Sequence, residues 1–174
     1  MGRYLGTELD PAEYYKLRSG DYSNPHADGI RLVLDRHIHW LEGKILDLGC
    51  GSGLATQVLW SLRNTIVGVD AEPAMIERYK TETEHDGVVG NFWDKLPQAD
   101  SAVFVYCLHL CPESRCHMVG FRLYEAGVKR IVVVSPFKER NECWPGYRRV
   151  DESADGVGPD GKTIYGRVYS RGDA

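Results

Sequence analysis

The sequence predicts an α/β fold, a doubly wound and mostly parallel seven-stranded sheet finished by a C-terminal antiparallel hairpin. Two observations carry this. Short, β-branched and nearly continuous apolar runs recur at 44–48 (KILDL), 65–69 (TIVGV), 87–90 (GVVG), 101–107 (SAVFVYC) and 130–135 (RIVVVS), as expected of strands buried on both faces of a parallel sheet. Segments with helical spacing separate them, and alternation of strand and helix builds such a sheet through right-handed crossovers.

The elements follow in chain order. Residues 10–22 (DPAEYYKLRSGDY) suggest a short helix and a loop, and 26–43 an additional helix ending at Gly43. After the first strand, Leu54, Val58 and Leu62 stand four apart within a helix over 52–62. Residues 72–80 form a second crossover helix, with Pro73 in its first turn and Glu72 near the positive end of its dipole. Pro112 opens a third, whose Cys116, Val119 and Leu123 share one stripe. Residues 146–152 and 162–171 then alternate as half-buried strands around a turn-rich loop containing PDG, the signature of an edge hairpin. The link from strand five to this hairpin is short and holds Pro145, which leaves little room for a long helix. Thin cover on that sheet face would favour a partner subunit, possible in a homodimer, or a substrate surface.

At 174 residues the chain is sized for one domain, divided into an N-terminal helical cap (1–43), a cofactor-binding core (44–136) and the edge hairpin (137–174). Its 43% apolar and 26% charged residues are those of an ordinary globular protein. The longest apolar runs fall short of the roughly 20 residues that cross a bilayer. With no secretion signal and five cysteines, an odd number, the expectation is a cytoplasmic protein with reduced thiols and no membrane partner. A net charge of −4 argues against a broad nucleic-acid footprint.

The chemistry lies in KILDLGCGSG, which sets Asp47, Gly49, Cys50, Gly51 and Gly53 at the carboxyl end of the first strand, before a helix. Glycines there let a backbone approach a ligand, and a helix start offers N–H groups. A dinucleotide site asks for G-x-G-x-x-G/A, and Leu54 stands where its last member would be. The acid ahead of the glycines, the G-x-G-x-G spacing and Asp70 closing strand two instead resemble the class I S-adenosylmethionine-dependent methyltransferases, over residues 40–136. NPPY or DPPY, the mark of amino-methylating members, is absent after strand four, where YCLHL stands.

That resemblance implies the strand order 3-2-1-4-5-7-6 and S-adenosylmethionine as cofactor. It also implies site residues. Asp47 and the backbone at Gly49 and Gly51 would face the methionine part and sugar, Asp70 the ribose diol, and Ala71 the adenine. Asn91 would meet the adenine amino group and Phe92 wall the ring, while Tyr106, Cys107 and His109 would stand beside the sulfonium. His109 is the candidate general base, should the nucleophile arrive protonated. From the N-terminal cap, Tyr14, Tyr15, Arg18 and Tyr22 could fold over the cofactor, with Arg18 on its carboxylate.

Methyl transfer to a small-molecule acceptor is the leading expectation. A nucleic-acid or protein acceptor, aminopropyl transfer on the same sheet, and a non-catalytic cofactor-binding module stay open. The row Tyr165, Arg167, Tyr169 and Arg171 keeps nucleic acid in view, since aromatics beside cations stack bases. The stretch CLHLCPESRCH (107–117) invites a different class, a zinc-organised interaction module. Its cysteines lack a second nearby pair to complete a CxxC…CxxC site, and the preferred reading has no metal.

Overall fold

The computed structural model describes residues 24–60, 65–138, 142 and 144–172. Seven strands form one sheet in the order β3-β2-β1-β4-β5-β7-β6. The five-stranded parallel part comprises β1 (Ile45–Leu48), β2 (Ile66–Asp70), β3 (Asp86–Val89), β4 (Ser101–Val105) and β5 (Arg130–Ser135). Strand β7 (Thr163–Arg171) then pairs antiparallel with β5 on one side and with β6 (Tyr147–Val157) on the other. The strand order and the hairpin are those expected from the sequence.

Alternation sorts the strand residues onto two cores. Ile45, Val103, Val132 and Ile164 pack beneath α1 (Ala27–His37) and α2 (Leu54–Leu59), while Leu46, Leu48, Phe104 and Val133 meet α4 (Cys116–Glu125). Helix α3 (Pro73–Thr83) lies so close to β2 that a Cβ on Gly68 would come within 2.6 Å of the Tyr79 ring. Glu72 caps α3 by accepting from Ala74 N, as its position ahead of Pro73 suggests.

Several boundaries differ from expectation. The helix expected to run to Gly43 stops at His37 and passes into a 3-10 turn over Ile38–Trp40. Gly43 takes a left-handed turn beyond it, φ 61°. Helix α2 is described only from Leu54 to Leu59, because 61–64 lie outside the described residues. Pro112 precedes a 3-10 turn (Glu113–Arg115), and α4 proper begins at Cys116.

The link between β5 and β6 carries no helix among its described residues, yet the sheet face there is not bare. Trp144 drops onto it, stacked on Phe104 at 5.7 Å and edge-on to Tyr169 at 4.7 Å. One buried indole takes much of the place of a helix, and the argument for a partner subunit on this face loses its basis. The row expected on β7 is corrected here too. Arg167 and Tyr169 are buried, so these two cannot stack bases. Arg167 instead pairs with Glu142 of the link, which anchors the segment carrying Trp144. Among the described residues no helix is long and apolar enough to cross a membrane.

Candidate functional site

A cavity of about 430 Å³ opens at the carboxyl ends of β1, β2 and β4, where open α/β sheets bind ligands. Ten of the site residues expected from the sequence line it: Asp47, Gly49, Cys50 and Gly51 from the glycine loop, Asp70 at the end of β2 and Ala71 after it, and Asn91, Phe92, Tyr106 and Cys107. Tyr14, Tyr15, Arg18 and Tyr22 lie outside the described residues.

The glycine loop is tied to the protein itself. The N–H groups of Gly49 and Cys50 both donate to Val69 O (2.7 and 3.1 Å), and Gly53 N donates to Cys50 O (2.9 Å). Gly51 N donates to Asp70 Oδ2 at 2.9 Å. The expectation that this loop offers free N–H donors is therefore corrected for these four groups. A pyrophosphate needs such donors, and these four are committed to the protein. Gly49 has φ 69°, and a Cβ there would strike Cys107 at 2.6 Å, so only glycine lets β1 and the β4 turn meet.

Asp70 holds the loop together from the other side. Its Oδ2 accepts from Gly51 N and its Oδ1 from Glu72 N, each at 2.9 Å. A carboxylate has about four acceptor positions, so both oxygens retain capacity for a pair of hydroxyls. Burial raises its pKa, against the backbone bonds that lower it. Asp47 lies deeper. Its Oδ2 accepts from Thr56 N (3.3 Å) and Thr56 Oγ1 (2.8 Å), and burial pushes its pKa up to about 7 despite those bonds.

The sign of that shift gives a test. Asp47's folded-state pKa lies above the usual carboxylate value of about 4, so its contribution to stability is complete below that value and is lost as pH rises toward 7. Melting curves from about pH 5 to 8 should show wild-type protein losing stability relative to Asp47→Asn, whose amide oxygen can still accept from Thr56. Parallel curves for the two proteins would refute it.

Asn91 donates its amide to Asp94 Oδ2 (3.1 Å), which leaves its carbonyl oxygen as the acceptor. Phe92 is held edge-on by Trp93 and Phe104, with ring centroids 5.1 and 5.6 Å away. Tyr106, just past β4, takes the left-handed conformation that non-glycine residues seldom adopt, φ 55°. Burial, then the charge of Asp160, pushes its phenol up to about 12, so it stays protonated and can donate. The Cys50 and Cys107 thiols are raised well above their ordinary value by burial, and Cys107 donates to Leu48 O at 2.9 Å. Neither is a thiolate nucleophile.

Two expected site residues stand elsewhere. His109 is on a 3-10 turn (Leu108–Leu110), half-buried with its ring 5.3 Å from Phe137, and does not line the cavity; its neighbour Leu110 does. Gly53 also faces away. With φ 99°, it lies where a Cβ would meet Thr83 Cγ2 at 2.3 Å. Its task is to seat α2 against α3. Gly53→Ala should therefore lower stability by about 1–3 kcal/mol in a urea titration and leave the cavity lining in place.

The CLHLCPESRCH side chains diverge: Cys107 turns to β1, whereas Cys111 and Cys116 both point at Pro112 O (3.5 Å each). Among the described residues no three His, Cys, Asp or Glu side chains converge as metal ligands. Cys116, Val119 and Leu123 form the buried stripe of α4.

The sequence reading missed Arg31, Met75 and Leu110 in the cavity wall. Met75 was within reach, since it stands one turn after Glu72 on a helix that begins at the cavity. Arg31 and Leu110 carry no local pattern that marks them.

Known proteins fit this picture. Residues 45–125 match the family model of a methyltransferase domain. Over 80 residues the chain is 32% identical to the 18S rRNA (guanine-N(7))-methyltransferase bud23 of Schizosaccharomyces pombe, a match spanning 42% of this chain and 30% of that protein's length. The magnesium protoporphyrin IX methyltransferase of Synechocystis PCC 6803, solved with bound S-adenosylmethionine, superposes with a TM-score of 0.69 at 13% identity, covering 94% of this chain and 93% of its own. The 1,6-didemethyltoxoflavin-N1-methyltransferase of Burkholderia thailandensis gives 0.63 at 16% identity, covering 99% and 94%. At such identities the two structures speak for the fold. Residues 45–125 are therefore similar to a methyltransferase domain, and they lie on a sheet with the strand order of that fold.

Proposed function

We propose that the chain binds S-adenosylmethionine in this cavity and transfers its methyl group to a small, flat acceptor. The observation that carries the reading is convergence: residues separated by up to 60 positions, from Asp47 to Cys107, line one cavity whose glycine loop keeps its N–H groups for the protein. A cavity of about 430 Å³ falls within the range of small-molecule sites, roughly 300–1,000 Å³. The residues fit the cofactor. Asp70 offers carboxylate acceptors to a ribose diol, the Asn91 carbonyl an acceptor to the adenine amino group, and Phe92 an apolar wall.

When bound, S-adenosylmethionine would supply a methyl group made electrophilic by the sulfonium, which an acceptor lone pair takes in line as the thioether leaves. The chain's part is to orient and to exclude water, and proximity of this kind lowers barriers by roughly 7–11 kcal/mol in favourable cases. Tyr106 and Leu110 supply an aromatic and an apolar surface at the end of β4, and the Tyr106 phenol stays protonated as a donor. That wall supports a planar acceptor, and the Burkholderia structure holds bound 1,6-didemethyltoxoflavin. A nucleobase in RNA is the second reading, favoured by the Schizosaccharomyces relative. This reading gives His109 no part in the transfer, because Leu110 and not His109 lines the cavity.

Calorimetric titration with S-adenosylmethionine and, separately, NAD tests the reading. Micromolar binding of the first and none of the second is expected; the reverse, or no binding of either, would overturn it.

A further inference from the structure

Two thiols stand side by side where the cavity wall meets α4. Cys111 caps the 3-10 turn that carries Leu110, and Cys116 is the first residue of α4, with only Pro112 and the Glu113–Arg115 turn between them. Both Sγ atoms lie 3.5 Å from Pro112 O, and the Cys111 thiol also hydrogen-bonds to Cys116. The other described cysteines each meet a carbonyl of their own, Cys107 that of Leu48 and Cys50 that of Gly51.

The surroundings give the two thiols different parts in an exchange. Burial, then the charge of a Cys116 thiolate, pushes the Cys111 thiol up to about 12. Cys111 therefore keeps its proton and donates a hydrogen bond to a Cys116 thiolate, which leaves Cys116 as the group that attacks. The effect runs to the cavity. Cys116 is fixed by α4, whose Val119 and Leu123 are fully buried, whereas the turn before Cys111 is closed by two backbone bonds, Leu110 N to Cys107 O (2.8 Å) and Cys111 N to Leu108 O (3.1 Å). Bringing the sulfurs to about 2.05 Å draws Cys111 toward α4, and Leu110, its neighbour in the cavity wall, moves with it.

We propose that Cys111 and Cys116 form a regulatory disulfide, made by exchange with a low-molecular-weight disulfide such as oxidised glutathione, that reshapes the cavity wall at Leu110. Cys116 loses its proton to solvent and attacks one sulfur of the oxidant, whose S–S bond breaks to release one thiolate. Cys111 then gives up its proton and attacks Cys116 Sγ, releasing the second. Two protein thiols are oxidised while one disulfide is reduced to two thiols, so no other oxidant is consumed. The exchange itself is independent of the proposed reaction; its effect on acceptor binding rests on that reading.

The reduced full chain, equilibrated with excess oxidised glutathione, then alkylated and digested unfolded with trypsin, tests the site. Cleavage after Arg115 separates the two cysteines, so the expected product is a peptide pair joined through Cys111 and Cys116, about 2 Da lighter than its reduced halves together. Dithiothreitol should restore both thiols. Cys111→Ser should trap glutathione on Cys116, and Cys116→Ser should trap none on Cys111. Amide hydrogen exchange over Leu108–Cys111 should quicken at least about threefold in the oxidised wild type and not in treated Cys116→Ser. Thiols that stay reduced in the folded wild-type chain, a bridge to another cysteine in place of this one, glutathione trapped on Cys111, or unchanged exchange would overturn the proposal. None of these readouts uses S-adenosylmethionine, so a failed cofactor titration is a separate result.

Discussion

Replacing Asp70 by alanine is expected to weaken S-adenosylmethionine binding by at least about 100-fold in calorimetric titration. Two effects add. The ribose diol would lose both carboxylate acceptors, and hydrogen bonds to a charged group contribute about 1.5–3 kcal/mol each, with every 1.4 kcal/mol worth tenfold in affinity. The glycine loop would also lose a strut, because Gly51 N and Glu72 N both donate to this carboxylate. Asp70→Asn separates the two, since its single carbonyl oxygen can keep one of those bonds; it should retain more affinity than the alanine variant. Near wild-type binding by Asp70→Ala would remove the cofactor from this cavity.

A second large effect is expected on stability. Arg167→Met should lower the melting temperature by about 10 °C, from a loss of roughly 3–5 kcal/mol when one partner of a buried ion pair is removed. Arg167 is fully buried, donates from Nε to Glu142 Oε2 at 2.7 Å and from Nη2 to Phe137 O at 3.0 Å, and shares Glu142 with the Tyr169 hydroxyl. Methionine would leave that carboxylate buried beside a single phenol. The double variant Arg167→Met with Glu142→Leu should recover most of the loss, because the penalty comes from the stranded charge and an apolar pair avoids it. A single variant melting within about 3 °C of wild type, or a double variant no better than the single, would contradict this account.

The part of the site legible in the sequence is the part in which backbone and chemistry coincide. Gly49 and Gly51 adopt left-handed conformations at the end of a strand, and Asp70 closes the next strand beside them. Such positions tolerate few residue types, so the letters report the geometry. Gly53 has the same local pattern, but its reason for being glycine is Thr83 of α3, thirty positions away. His109 followed the strand-end rule, and the 3-10 turn after β4 then presented Leu110 to the cavity in its place.

The fold was legible to the same depth. Parallel strands declare themselves by continuous apolar runs, and the hairpin by alternation. Arg167 misled because alternation marks two faces of a strand without saying what lies on each. Its partner, Glu142, is in a segment with no periodicity of its own, and so is Trp144. Where cover for a sheet comes from an irregular link, no local pattern announces it.

The place of β7 between β5 and β6 has a consequence for how the chain assembles during synthesis. Strand β6 leaves the ribosome before the strand it must pair with, and β5 waits with an open edge until that same strand arrives. The glycine loop and its parallel strands can form early, whereas this half of the sheet is completed only when β7 follows β6. Antiparallel pairing across short loops closes quickly, so the exposed interval is set by translation. A nascent chain halted before Thr163 would carry the glycine loop and β2 in place yet offer an unpaired β5 edge to any strand nearby.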